Sequence, residues 1–392
     1  MRYDYDAIVV GARVAGASTA MLLARQGHQV LLLDRATMPS DTLSTHAILR
    51  TGVLQLTRWG LIDRVAASGA PPIGQTTLGF GADRILFDLR DHFGIESLYA
   101  PRRFVLDDIL VQAAVEAGVH FLAGAGVKDL VRDREGTVNG VIAGHGDTTT
   151  TYRARMVIGA DGTHSRIARL VNSRIQHHHP PRNTVHYAYF SGIETPGFWF
   201  QFTPGVNAGV IPTNNSEACV FVGRPIDGLE PFRSDPEGEF HRLLRKAGSD
   251  LAETVAEGSR TSGFRGTPGL AGFLRQAWGP GWALVGDAGY TKDPISAHGI
   301  SDAFRDAELC ARAVDAGLRD PEQASQYLTE YQRVRDLLSL PMYRESKALA
   351  GYGWGPQEAS TRMRRISQMV RDECDLLVSL PGWANVGSAI AI

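Results

Sequence analysis

Between Asp6 and Asp34 the chain can form only one supersecondary unit. The run Ile8-Val9-Val10 is β-branched and apolar on both faces, as a buried parallel strand requires. Gly11 permits a sharp turn, and Ala15, Gly16 and Ala20 are small enough to bring the following helix against the sheet. The spacing predicts a helix over 15–25 that ends at Gly27, and then a second buried strand, 30–33, that delivers Asp34. Strand, glycine turn, helix, strand and acid describe a dinucleotide-binding βαβ unit. Its helix N-terminus attracts a pyrophosphate, and Asp34 is placed to bond ribose hydroxyls. One letter departs from G-x-G-x-x-G: Arg13 stands where a second glycine allows close phosphate approach. The guanidinium either swings outward or is offered to a phosphate, and the unit read alone could equally be purely structural.

The 392 residues suffice for two or three units of ordinary domain size. A net charge of −2 gives no electrostatic case for nucleic acid or an anionic membrane as partner. No apolar run reaches the length of a bilayer span, and the first strand begins too near Met1 to leave space for a signal peptide. Cys219, Cys310 and Cys374 are scattered and odd in number, which argues for reduced thiols in a cytoplasmic protein, without a disulfide or metal framework.

A polar connection, 36–45, leads into helical spacing over 48–65, with Trp59 and Leu61 on the buried side and Arg50 near its start, in the first instance a solvated arginine. Residues 76–80 and 84–89 read as a hairpin, and 105–117 as a helix closed by Gly118. A small antiparallel excursion over 119–156, with its tip at 148–151, returns to the main sheet at 156–159. That strand runs into Gly159-Ala160-Asp161-Gly162, which offers N–H groups and a carboxylate where ligands of open α/β folds bind; the same letters also spell an ordinary Asx turn. Alternation over 184–193, 197–203, 208–212 and 218–223 predicts a separate antiparallel sheet. Its aromatic stripe, including Tyr187, Tyr189, Trp199, Phe200 and Phe202, is either core or the wall of a small-molecule cavity. His177-His178-His179 reads as a polar loop; adjacent histidines do not converge on one ion in regular structure, so no metal site is expected. A short amphipathic helix over 240–247 closes this unit. A third buried strand ends at Gly286-Asp287, and Pro294, His298, Gly299 and Ile300 lead into a long helix, giving an acceptor for hydroxyls and a positive helix end for an anion. The remainder, 321–378, is largely helical with a structural or interfacial part, and ends in Pro381-Gly382-Trp383.

Three strand-to-turn signatures, 11–34, 159–169 and 286–299, stand in an order and spacing that resemble the single-component, group A FAD-dependent monooxygenases of the para-hydroxybenzoate hydroxylase type. The likeness covers most of residues 5–320. It implies an α/β fold: a Rossmann-like FAD-binding domain with a mostly parallel sheet (1–72, 100–174 and 265–325), an antiparallel-sheet substrate domain (73–99 and 175–264) and a C-terminal helical region (326–392). FAD would be held by Gly11, Arg13, Ala15, Gly16, Asp34, Arg35, Asp161, Gly162, Gly286, Asp287, Pro294, Gly299 and Ile300, with Asp34 on the adenosine ribose and Asp287 on the ribityl chain. The resemblance takes Arg50 to the pyrophosphate region and Arg103 to the cofactor. Pro294 and Gly299 would lie under the flavin, whose reduced ring the helix start favours. Departures are Arg13, Ala168 where the family carries an arginine, and His298 and Ser301 in place of Gln and Asn. His298 is then either a catalytic proton donor or acceptor or a loop-packing residue. The implied reaction reduces FAD with NAD(P)H, adds O2 at the flavin C4a and transfers one oxygen from the hydroperoxide. Its substrate would be a hydrophobic, aromatic or polyketide-like small molecule of secondary metabolism. Flavin halogenases are disfavoured, since their Trp-x-Trp-x-Ile-Pro motif is absent. A carbon–carbon double-bond reductase of the geranylgeranyl type, a non-catalytic flavin-binding redox module, and a homodimer all stay open.

Overall fold

Leu284, Gly159, Val10 and Leu33 lie side by side near the carboxyl ends of neighbouring parallel strands in the computed structural model, which describes residues 3–146, 148–228, 232 and 234–382. The row belongs to an eight-stranded sheet whose parallel part runs Trp282–Leu284, Thr148–Gly159, Tyr5–Val10, Val30–Leu33, His120–Leu122. Period-two alternation divides its side chains between two cores. Ala7, Val9, Leu32 and Ile158 face helices Val14–Arg25, Arg103–Glu116 and Gly299–Arg319. Ile8, Val10, Leu31 and Leu33 face the antiparallel excursion and the short helix Arg166–Leu170. All are almost wholly buried, and each large aliphatic contributes about 1.5–3 kcal/mol.

The second eight-stranded sheet is mostly antiparallel and ends on the hairpin Gln75–Phe80 and Asp83–Asp88, the latter outermost. Tyr187, Tyr189, Phe198 and Phe221 turn one face into the core shared with the first sheet. Ala188, Phe190, Trp199 and Val220 turn the other face under helices Pro236–Ala247 and Ser249–Ala256. Residues 265–267 still pair with 185–187, so this sheet extends beyond the expected limit at 264. C-terminal helices Ala324–Leu349 and Pro356–Ser379 and the connection between them close the molecule through Met342, Tyr352 and Trp354, which pack with Phe80 and Phe202.

Some sequence expectations change. The helix foreseen over 48–65 is two, Arg50–Arg58 and Ile62–Ala66, because Gly60 takes φ +70°. The histidine run is a strand, Ile175–His179, paired to Gly272–Arg275; its residues obey β pairing where composition suggested a loop. Thr148–Gly159 is continuous strand, so 148–151 is no hairpin tip. Trp383 lies outside the described residues.

Candidate active site

The three signature loops meet. A Cβ on Gly11 would sit 2.4 Å from the Ala160 carbonyl oxygen, and one on Gly286 would sit 2.8 Å from the Ala15 Cβ. The first loop therefore touches the second and the third in van der Waals contact that only small residues permit. Gly11 also needs its φ of +103°, which disfavours any side chain there. Helices Val14–Arg25 and Gly299–Arg319 both begin at this rim, and neither N-terminus receives a hydrogen bond from its N-cap side chain. Their first N–H groups are thus available to an anion.

Asp287 is exposed although Gly286 and Ala288 beside it are buried. Desolvation pushes its carboxyl up, opposed by Lys292 and Arg103. The residue thus reaches solvent at the carboxyl end of the sheet while the surrounding protein desolvates its carboxyl. Among the described residues no hydrogen bond to that carboxylate is made. Pro294 and Gly299 are exposed at the same rim, and a Cβ on Gly299 would meet nothing within 4 Å. Open donors at two helix starts, one unpartnered acid and an open glycine fit a phosphate-bearing, hydroxyl-rich dinucleotide.

The arginines are arranged differently from expectation. Arg13 gives its guanidinium to the buried Asp107 at 2.9 Å and to Ser40. Arg103 bonds the same carboxylate at 3.0 Å. Arg102 and Arg265 reach Asp41 at 3.5 and 2.5 Å. Segment 36–45 is consequently a strap pinned at Ser40 and Asp41 by arginines from three separate elements. Burial alone would raise the Asp41 carboxyl, but the Arg265 contact prevails and holds it below its ordinary value. Arg50 donates to the carbonyls of Arg90, His92 and Ile95, so its guanidinium ties helix Arg50–Arg58 to that loop instead of standing free for a pyrophosphate. Arg35 is exposed.

Asp34 is almost fully buried and accepts from the Ala12 and Ala36 N–H groups at 2.7 and 2.8 Å. It braces the glycine turn, a role the expectation of a ribose contact omitted. Asp161 accepts from Ser165 Oγ and from the N–H groups of Arg166 and Ile167, while Gly162 takes φ +79°. The carboxylate thus reaches past the Thr163 N–H of an ordinary Asx turn and caps the helix Arg166–Leu170 instead.

His298 is buried at the N-cap of helix Gly299–Arg319, with Nδ1 against the Ser296 carbonyl. Nδ1 is the donor in that contact, which leaves Nε2 as the acceptor. Burial first, then Lys292 and Arg305, lower its pKa to about 3, so the imidazole is neutral and is no proton donor near pH 7. The preceding Ala297 sits at φ +57°. Beneath it Lys292 pairs with Asp302, and buried Arg305 bonds Asp302, Asp306 and Glu373. That network joins the third loop to helix Pro356–Ser379.

The aromatic stripe divides by face. Tyr187 accepts from the Ser44 N–H at 3.4 Å, and Tyr189 shares a 2.5 Å hydrogen bond with His46, under the Arg102 guanidinium at 3.5 Å. Phe200 is half-buried on this same side, as is Val185, so the apolar wall reaches solvent there. Trp199 is on the opposite face, packed against the helices, and is no pocket residue: strand alternation sends it there. Phe202 is sealed under Trp354. Sequence reasoning missed Asp107, Asp41, His46, Lys292 and Arg305. Local signals existed for two of them: Asp107 lies four residues after Arg103, and Arg305 three after Asp302, each pair on one helix face.

A family model described as "FAD binding domain" matches residues 4–344. The chain is 26% identical to the menaquinone reductase of Mycolicibacterium smegmatis over 80% of this chain and 76% of that protein. It is 26% identical to the 6-methylpretetramide 4-monooxygenase of Streptomyces rimosus over 98% of this chain and 92% of that protein. The structure of Pseudomonas aeruginosa PqsL in complex with 2-aminobenzoylacetate superposes with a TM-score of 0.81 at 23% identity, covering 92% of this chain and 99% of that one.

Proposed function

Because the chain belongs to this FAD-binding-domain family of oxidoreductases, we propose that it is a FAD-dependent monooxygenase that uses NAD(P)H and O2 to hydroxylate or epoxidise a hydrophobic, aromatic or polycyclic small molecule. The observation that carries this reading is the meeting of three loops around the exposed, unpartnered carboxylate of Asp287. Bound FAD supplies the electron transfer and O2 activation that no side chain here provides. Asp287 would accept from cofactor hydroxyls, and the two open helix starts would favour negative charge on the bound group. Arg103, oriented by Asp107, adds positive charge nearby. The wall of Tyr187, Val185 and Phe200 takes the apolar substrate and excludes water. His298, held neutral, offers Nε2 as an acceptor. The chain carries no helix, among the described residues, long and apolar enough to cross a membrane, in keeping with action on a diffusible substrate in the cytoplasm.

The likeness to a menaquinone reductase favours a second reading, reduction of a carbon–carbon double bond without oxygen. Full-length coverage of the monooxygenase relative supports the first. Oxygen-electrode and 18O2 experiments with aromatic candidates separate them. The expected result is substrate-dependent NAD(P)H oxidation with matching O2 uptake and one labelled atom in the product. Substrate-dependent NAD(P)H oxidation under argon, giving a saturated product, would overturn it in favour of the reductase.

A further inference from the structure

Large exposed apolar side chains among the described residues are scattered singly except at one place. Ile85, Leu86 and Phe87 are consecutive and 54%, 52% and 41% exposed. They lie on strand Asp83–Asp88, the outermost of the second sheet, which among the described residues pairs on one side only, with Gln75–Phe80. The Leu89 N–H donates to the Gly74 carbonyl at 2.7 Å, which fixes the phase of this ladder. Residues 83, 85 and 87 turn their backbone groups inward, and Arg84, Leu86 and Asp88 turn theirs outward. A bare edge with an apolar run is a template for another strand.

We infer that two copies of this chain associate edge to edge through Asp83–Asp88, in antiparallel register about a two-fold axis at Leu86. In that register Leu86 opposes itself, Ile85 opposes Phe87, and Arg84 opposes Asp88 of the other copy. The three outward-facing residues all fall into hydrogen-bonded pairs, and opposite charges meet at both ends. Neighbouring registers lose this match: an axis at Ile85 sets Arg84 against Leu86, and one at Phe87 sets Arg84 against Arg90. Arg84 now pairs with Asp250 at 3.0 Å, and Asp88 with Gln75 at 2.8 Å. The Arg84–Asp250 pair is exposed on both sides and exchanges at little cost. The flanking Asp83, Asp88 and Asp91 against Arg84 and Arg90 leave no positive excess for an anionic lipid surface.

Sedimentation of the purified full chain with its cofactor tests the inference. The expected species has twice the 42.5 kDa chain mass. Leu86→Lys, which sets two ammonium groups against each other on the axis, and Arg84→Asp, which faces Asp88, are each expected to weaken association by about tenfold or more. Combining Arg84→Asp with Asp88→Arg is expected to restore it, a result that unfolding cannot mimic. A monomeric wild type, or a dimer indifferent to Leu86→Lys and Arg84→Asp, overturns the proposal. So does a monomer that cosediments with phosphatidylcholine vesicles through Ile85–Phe87, which would make the strand a lipid contact.

Discussion

Asp287 and Asp34 show how two acids at neighbouring loops come to differ. Asp34 accepts from two backbone N–H groups and acts on the chain itself, whereas Asp287 is exposed and, among the described residues, receives no donor on its carboxylate. A hydrogen bond to a charged group is worth roughly 1.5–3 kcal/mol, so Asp287→Ala is expected to raise the FAD dissociation constant by about 10- to 150-fold. Fluorescence titration of the apoprotein reads this directly, and an unchanged constant refutes the assignment. Both acids were visible in the sequence, as were Gly11, Gly16 and Gly286, because turn chemistry is local. Arg13 was visible as a departure, but its destination was not: Asp107 is more than ninety residues away in sequence and meets it only after the helices pack. The link from Arg305 to Glu373 was hidden for the same reason, its partner being supplied only when helix Pro356–Ser379 packs.

At the level of elements, a strand's two faces decide which aromatics meet a substrate. The pattern of alternation was legible, and both sheets were expected from it. Which face was which was not, since that depends on where helices Pro236–Ala247 and Ser249–Ala256 dock. Trp199→Ala is expected to lower stability by about 3–5 kcal/mol, seen in chemical denaturation, and to leave KM unchanged. Phe200→Ala is expected to raise KM several-fold, with a smaller stability loss, because its side chain is only half-buried. An equal KM effect from both would mean that the sheet presents its opposite face. The histidine strand Ile175–His179 carries a related lesson: four of its five residues are exposed, so pairing with Gly272–Arg275, and not hydrophobic pattern, makes it a strand.

Across the whole molecule, buried imidazoles tie stability to pH, and His46 and His298 are the most strongly shifted. His46 and His298 have pKa values lowered to about 3, mainly by desolvation, whereas in the unfolded chain they titrate near 6.5. A depressed folded value means that their contribution is present above pH 6.5 and is lost as pH falls from there towards 3. Tm is therefore expected to drop through that window, and a double His46→Asn, His298→Asn variant is expected to show a shallower drop. An unchanged slope would place the acid sensitivity elsewhere, in the carboxylates or in His186, whose pKa burial lowers to about 4.

The shared row of strand ends has one more consequence. Its three turns come from stretches more than a hundred residues apart along the chain. A dinucleotide seated across them works as a staple between remote segments, present only after the intervening sheet and helices have found their places. Ligation there reports completed assembly of the discontinuous domain, and by mass action protects it.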